Sequence, residues 1–502
     1  MLVFLILTLH IIGCEETAGK TRPNIIFLLT DDQRFDALGC MGNSEIKTPR
    51  IDEIAAKGMV FTDYYNTTAI CMASRASIMT GMYEFKTGCN FQHGPMTRDI
   101  FDGSYPVLLR EAGYFTGFAG KFGFGVVLSG SKSNSDWHSK TRMPMDQFDW
   151  WRGWPGQGNY TTAENEYMAE YANEYPHVSG ALGAAAVDFL RESVNQDKPF
   201  CLSVSFKAPH NPVRPDPRYD QIYQGNTFTI PCNYGIEAAD HLPEQSKSGR
   251  QFIKLGKRWY PGKYDEAVAR YYQLIYGVDV AVGMILDELS ALDLDDKTIL
   301  IFTSDNGYFC GSHGFGGKVL PYEEGSRAPL IIYDPYSKSS GKKRRSGALA
   351  GNIDMAPTIL EMAGLEVPEN MDGVSLVPLL DDPSTTVKEN QLFIQAWGAI
   401  SAQSMTVIKD HYKYIYWFFG EGMKPAEELY NLGPSCAEME NLAGRKDLVA
   451  TQEEMRNAYD RYLEKWKQES VERNRYPEYG ILFDREIPWE DKAEIIENYI
   501  NP

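Results

Sequence analysis

Two apolar runs without polar interruption set the frame of the chain. Asn24-Ile25-Ile26-Phe27-Leu28-Leu29-Thr30 and Thr298-Ile299-Leu300-Ile301-Phe302-Thr303-Ser304 show no alternation, which predicts parallel strands buried on both faces. Residues 115–120 and 199–206 read as two more strands. Between them the period turns helical: residues 51–57 stopped by Gly58, residues 74–80 stopped by Gly81, an Ala-rich amphipathic stretch at 179–193 and a long helix at 265–292. Strand and helix signals alternate across residues 21–380, which predicts an α/β sandwich. Asp381-Asp382-Pro383-Ser384 marks a boundary. Beyond it, residues 391–397, 404–409 and 412–417 predict antiparallel strands, the last two joined at Asp410-His411, followed by an amphipathic helix at 448–469. The chain thus divides into a leader (1–20), an α/β domain (21–385) and a smaller C-terminal subdomain (386–502).

Composition narrows this picture. The chain has 502 residues, 43% of them hydrophobic, which suits one large α/β core with an appendage. Its formal net charge of −19 argues against broad nucleic-acid binding. Lys342-Lys343-Arg344-Arg345 reads as a solvated turn. The long stretch 129–165 holds Trp137, Trp150, Trp151, Trp154 and Tyr160 among Gly, Ser and Asn. These aromatics suit either stacking on sugar rings or a hydrophobic plug under a loop.

Residues 1–13 are apolar and too short to span a bilayer as a helix. They fit the hydrophobic region of a signal peptide. Ile11-Ile12-Gly13-Cys14 resembles a bacterial lipobox, which implies a lipid-anchored, periplasmic or outer-membrane protein with Cys14 as its first mature residue; plain secretion is the alternative. Six further cysteines besides Cys14 and Cys71, at 40, 89, 201, 232, 310 and 436, allow up to three disulfides in an exported chain.

The chemistry gathers at strand ends. Asp31-Asp32 ends the first run and Asp305-Asn306 ends the second. Ligands of open α/β sheets bind outside the carboxyl ends of the strands, so three carboxylates and an amide oxygen converge. Hard oxygen donors suit Ca²⁺ or Mg²⁺. Lys121 follows Gly120, Lys207 and His210 follow residues 199–206, and Lys318 follows Gly316-Gly317 with His313 in the same loop. A dication among Arg, Lys and His forms a site for a tetrahedral oxyanion. Cys71-Met72-Ala73-Ser74-Arg75 completes the set. It places Cys71 at a helix N-terminus, which favours an anion, with Arg75 one turn on along the same face. Alone, this motif describes a low-pKa thiol or a packed Cys beside an Arg.

Together, these motifs resemble the type I, formylglycine-dependent sulfatases of the alkaline-phosphatase-like superfamily, from Asn24 to Glu428-Leu429-Tyr430-Asn431-Leu432. The resemblance implies a large mixed, mostly parallel sheet sandwiched by helices, with a small C-terminal antiparallel sheet plus helix. It implies that a maturase oxidises Cys71 to formylglycine, whose hydrate attacks the sulfur of a sulfated glycan. Asp31, Asp32, Asp305, Asn306 and the modified Cys71 would hold one Ca²⁺, and Arg75 would bind that side chain and the carboxylates. Lys121 and Lys318 would neutralise sulfate oxygens, and Lys318 or His210 would serve the leaving alkoxide. Ala73 stands where many members have Pro, a form that resembles motifs accepted by radical-type maturases. Gly123 stands where many members carry a His that holds the hydrate; the glucosamine-6-sulfatase branches also lack it. His313 and His93 are the candidate replacements, with a structural role as the alternative for each. A phosphodiesterase or phosphonate hydrolase on the same fold, a non-catalytic glycan-binding homologue, and a phosphatase using Cys71 directly, which Ca²⁺-type ligands disfavour, are the competing functions.

Overall fold

The computed structural model describes residues 22–130, 139–338, 340–433, 436 and 438–500. The leader with Cys14, and Trp137, lie outside the described residues. An eight-stranded sheet forms the centre, built from β1 (Asn24–Asp31), β2 (Met59–Phe61), β3 (Phe115–Lys121), β4 (Trp150–Trp154), β5 (Phe200–Pro209), β6 (Thr298–Ser304), β7 (Leu330–Tyr333) and β8 (Arg344–Ser346). Its spatial order is β8-β2-β7-β6-β1-β5-β3-β4. Only β7 runs against the others within this sheet.

Continuous apolarity in β1 follows from its central place. Ile26 and Leu28 face one core, together with helices α1 (Pro49–Lys57), α3 (Val178–Ser193) and α4 (Tyr264–Ala291). Ile25, Phe27 and Leu29 face the other core, against α2 (Cys71–Thr80) and the helix Met355–Met362. Each fully buried aliphatic side chain of this kind contributes about 1.5–3 kcal/mol.

The C-terminal sheet is antiparallel: β9 (Asn390–Gln395), β10 (Ser404–Lys409), β11 (Tyr412–Trp417) and β12 (Ala426–Asn431) in sequential order. It packs against α5 (Val449–Glu469) through a separate core around Trp466 and Tyr459. Lys413 of β11 is fully buried and reaches back into the main domain. Its ammonium donates to the Pro321 carbonyl at 2.8 Å, to Glu323 at 2.8 Å and to Glu438 at 2.7 Å. The Cys232–Cys436 disulfide is a second tie between the two parts.

Several expectations need correction. Of the disulfides that six cysteines allow, the described residues form one, and Cys40, Cys89, Cys201 and Cys310 are buried free thiols. The aromatic stretch contains the edge strand β4; Trp150 and Trp154 are buried, and Trp151 stacks on Phe118 at 5.1 Å. These rings pack the core, as the hydrophobic-plug alternative requires. Arg344 and Arg345 belong to edge strand β8, and the Arg345 guanidinium donates to the Cys40 carbonyl. No helix of the described residues is long and apolar enough to cross a membrane.

Helix α1 has no side-chain cap of its own. Asp279 of α4 supplies one, accepting from the Arg50 and Ile51 amides at 2.9 and 2.8 Å. Burial raises its carboxyl from 3.8 to about 7. The folded state therefore binds the extra proton between those values, and stability falls as pH rises through that window. Asp279→Asn keeps an acceptor oxygen and removes the titration, so its stability relative to wild type should improve from about pH 4 to about pH 7. Asp279→Ala should cost about 1–3 kcal/mol, because two buried amides lose their partner. Urea unfolding across pH checks both.

Candidate active site

Strand register brings the reactive groups to one edge. Asp31 pairs with Pro209, Thr30 with Ser304 and Gly120 with Ser205, so Asp31, Asp305, Lys121 and His210 all leave the sheet at its carboxyl end. Asp32 takes a left-handed φ of 70°, which turns its side chain back over the sheet edge. Its amide donates to Asp305 Oδ1 at 3.3 Å, and the Asp305 amide donates to the Thr30 carbonyl at 3.1 Å. The two acidic strand ends thereby lock each other.

Cys71 is the first residue of α2, all ten residues of which are buried. Among the described residues no side-chain cap is made at this helix start. Gly81 ends the helix with φ 67°, as the sequence predicts. Lys318 Nζ donates to Cys71 Sγ at 2.8 Å, bonds Asp32 Oδ1 and lies 3.6 Å from Asp31 Oδ1. Lys121 Nζ bonds Asp31 Oδ2 and donates to Gln157 Oε1 at 2.7 Å. Arg75 is buried across the floor: Nε donates to Asp305 Oδ2 at 2.7 Å, NH1 donates to the Lys121 carbonyl at 2.7 Å and to Ser205 Oγ, and NH2 lies 3.5 Å from Asp31 Oδ2. Asn306 Nδ2 donates to Asp32 Oδ1 at 2.7 Å. His210 Nε2 stands 3.8 Å from Asp32 Oδ2.

The charges shape one another. Burial alone would raise the Asp31 carboxyl, but Lys121, His210, Lys318 and Arg75 hold it well below the usual carboxylate range. Burial and the Asp31 charge push Asp305 up to about 6. Burial would lower Lys318, yet Asp32 and the neighbouring acids keep it well above its ordinary value. Burial, then Asp31, pushes the Cys71 thiol up to about 11. The low-pKa thiol suggested by the helix N-terminus is therefore corrected: desolvation and adjacent carboxylates outweigh the dipole.

Ligand atoms of Asp31, Asp32, Cys71 and His210 lie within 4.8 Å of one another. Asp31 Oδ1 and Asn306 Oδ1 are buried acceptors that receive no hydrogen bond. A buried Asp31 oxygen without a hydrogen bond, in this group of four possible ligands, fits a hard dication; Asn306 turns its Nδ2 toward Asp32.

Gly123 is also explained here. Its φ is +90°, and a Cβ would meet Arg75 Cδ at 2.5 Å. The volume a side chain would need at that position is filled by the guanidinium stem. His313 does not replace the absent group, which corrects that expectation. Its Nδ1 donates to the Ala238 carbonyl at 3.2 Å, so Nε2 accepts from Asn233 Nδ2 at 3.0 Å. It is fully buried beside Glu324 and Glu438. These partners border a separate cavity of about 500 Å³ lined by Arg34, Asn233, Glu324 and the disulfide. His93 is also placed elsewhere, with Nε2 at 2.8 Å from the Ala396 carbonyl and its ring against Tyr476 and Tyr479.

The sequence reading missed Gln157, Ser205 and Asn211. Trp154-Pro155-Gly156-Gln157 was the available signal for the first, because a Pro-Gly turn leaves a strand on the same sheet edge. Asn211 accepts from Arg258, and its amide donates to Tyr308 at 2.7 Å.

The family model described as Sulfatase matches residues 23–365, more than half of the chain. The chain belongs to the sulfatase family. This sulfatase is a sulfuric ester hydrolase, and its residues 311–465 also match the model described as N-sulphoglucosamine sulphohydrolase, C-terminal. The sulfatase is 28% identical to an N-acetylglucosamine-6-O-sulfatase of Bacteroides thetaiotaomicron, over 90% of this chain and 88% of that one. It is 27% identical to an arylsulfatase of Clostridium perfringens, over 85% and 91% of the two chains. A solved structure described as in complex with its substrate D-glucosamine-2-N,6-O-disulfate superposes with a TM-score of 0.73 at 26% identity, covering 90% of this chain and 99% of that one. A phosphonate monoester hydrolase of Agrobacterium radiobacter shares the fold, with a TM-score of 0.71 at 21% identity over 90% and 96% of the chains.

Proposed function

We propose that this sulfatase removes sulfate from a sulfated glycan, with one Ca²⁺ held by Asp31, Asp32, Asp305 and Asn306 and with Cys71 converted to formylglycine. The observation that carries this reading is the orphaned acceptor Asp31 Oδ1, 3.6 Å from Lys318 Nζ, in the group of possible ligands formed by Asp31, Asp32, Cys71 and His210. When bound there, the ion offsets carboxylate charge and polarises a sulfate oxygen, and the aldehyde hydrate offers a hydroxyl nucleophile that can later leave by elimination.

The chain's own residues do the rest. Lys121 and Lys318 flank the position of Cys71 and present ammonium donors to sulfate oxygens. Arg75 fixes the floor and excludes water beneath the reacting group. His210 Nδ1 lies 2.6 Å from the Asn211 carbonyl and must donate to it, which leaves the Nε2 lone pair facing the cleft. Lys318, already 2.8 Å from Cys71 Sγ and carrying several N–H groups, is the better proton donor to the leaving alkoxide.

A glucosamine bearing a 6-sulfate is the first candidate substrate. The relative named N-acetylglucosamine-6-O-sulfatase supports it, as does the Gly at position 123. The apolar leader and Cys14 support export with lipid attachment, and the Ala73 motif supports maturation by a radical-type maturase.

The test is inorganic sulfate release from sulfated N-acetylglucosamine and an aryl sulfate, beside an aryl phosphate diester, before and after chelation. Sulfate release should disappear on removal of divalent cations and return with Ca²⁺, and the melting temperature should fall and recover with it. Activity and melting temperature indifferent to chelation would reject the metal assignment. Preferential turnover of the phosphate diester would favour the phosphonate-hydrolase alternative.

A further inference from the structure

The segment joining residues 250 and 258 carries Arg250, Lys254, Lys257 and Arg258, all exposed, in a chain of net charge −19. It lies directly on the loop that delivers Lys318: the Gly316 amide donates to the Gln251 carbonyl at 2.9 Å, and a Cβ on Gly316 would meet the Leu255 carbonyl at 2.3 Å. At its far end Arg258 donates to Asn211, the neighbour of His210. The ridge therefore runs along the rim of the active site.

Its near end holds Arg250 in a defined pose. The guanidinium stacks over the Trp397 ring at 4.8 Å from the centroid. Trp397 packs with Phe91 on the apolar cluster Ile70, Ala73 and Val319. Ile70 and Val319 are the chain neighbours of Cys71 and Lys318, so this platform stands next to the reacting groups. The turn carrying Trp397 is pinned on both sides, by His93 at the Ala396 carbonyl and by Gln92, which accepts from the Gly398 amide at 3.0 Å. Ser248 and Ser401 hydrogen-bond at 2.7 Å and fix the approach to Arg250. Among the described residues no carboxylate pairs with Arg250, Lys254, Lys257 or Arg258, whereas Arg34, Arg75 and Arg98 all have acidic partners. A stacked guanidinium keeps its in-plane N–H fork free for a carboxylate or sulfate.

We infer that Arg250, positioned by Trp397 and supported by the cationic ridge to Arg258, is a subsite for a second anionic group, carried by the sugar next to the one that loses its sulfate. The substrate is then an oligosaccharide of a multiply charged glycan. The subsite rests on the glycan-sulfatase reading, and the test separates the two. Three disaccharides share one scissile sulfate: one with no other charge, one with a second sulfate on the neighbouring sugar and one with a carboxylate there. Sulfate release gives kcat/KM for each, with an aryl sulfate as control. Wild type should favour at least one doubly charged disaccharide by about ten- to hundredfold, chiefly through KM, and the preference should shrink as salt rises. The favoured arm identifies the second group as sulfate or carboxylate. Arg250→Ala should collapse the preference, Arg250→Lys should keep part of it, and Trp397→Ala should lower it without removing the charge. Equal values for charged and uncharged disaccharides in wild type, or an Arg250→Ala enzyme that loses the same factor on all three, would overturn the subsite alone. Turnover of the aryl sulfate with none of the disaccharides would overturn the glycan reading and the subsite with it.

Discussion

Cys71→Ala is expected to abolish sulfate release, a loss of about 10⁴-fold or more, while the fold persists. Alanine is the best helix former and suits the first turn of α2. Among the described residues the Cys71 side chain has one hydrogen-bond partner, Lys318, which keeps its pairing to Asp32 and Asp31 when the sulfur is gone. Melting temperature should therefore move little while turnover vanishes. The mass of the peptide spanning Cys71 in active enzyme should show the thiol replaced by an aldehyde. A fully active preparation with an unmodified Cys71, or an active Cys71→Ala protein, would remove the proposed nucleophile.

Arg75→Ala should damage both stability and activity. The guanidinium is 1% exposed and touches Asp305, Asp31, Ser205 and the Lys121 carbonyl. Removing it leaves buried carboxylates facing one another, a loss of about 3–5 kcal/mol. Arg75→Lys should recover only part, because an ammonium cannot reproduce a planar fork with several fixed directions. Denaturant unfolding measures the stability change, and sulfate release measures the activity. A destabilisation under about 1 kcal/mol for Arg75→Ala would mean that the carboxylates do not depend on this cation.

The parts of this architecture that could be read from the chain alone are those where one physical constraint acts. β1 and β6 were legible because a strand buried on both faces has no choice but to be apolar, and because their acidic ends break the run abruptly. The helix beginning at Cys71 was legible from its Gly81 stop. β4 was not: Trp150-Trp151-Arg152-Gly153-Trp154 sits at a sheet edge, where one side of the strand tolerates Arg and Gly, so its pattern resembles a loop. β8, with Arg344 and Arg345, hid for the same reason. Asp31, Asp32, Cys71, Lys121, Asp305 and Asn306 could be proposed because each ends, begins or directly follows an element with a clear signal, and Lys318 because a Gly-Gly pair precedes it in the loop after β6. Gln157 and Ser205 were hidden because nothing local distinguishes a polar residue aimed at a buried cation from one aimed at water. His313 shows the opposite error. Its nearness to Lys318 in sequence suggested chemistry, yet its φ of 50° belongs to a loop turned toward Asn233 and Glu324.

Lys413 has a consequence for how such a chain can be altered by recombination. Its partners come from two stretches, Pro321 and Glu323 beside the loop of Lys318, and Glu438 just beyond β12. A tail exchanged with that of a relative at the Asp381–Ser384 boundary would bring its own residue to this buried position, against an inherited Glu323. Unless both sides matched in charge, the mismatch would sit under the segment that aims Lys318 at Cys71. Variation in the tail is thereby constrained by the chemistry of the head, and the two halves are expected to change together or not at all.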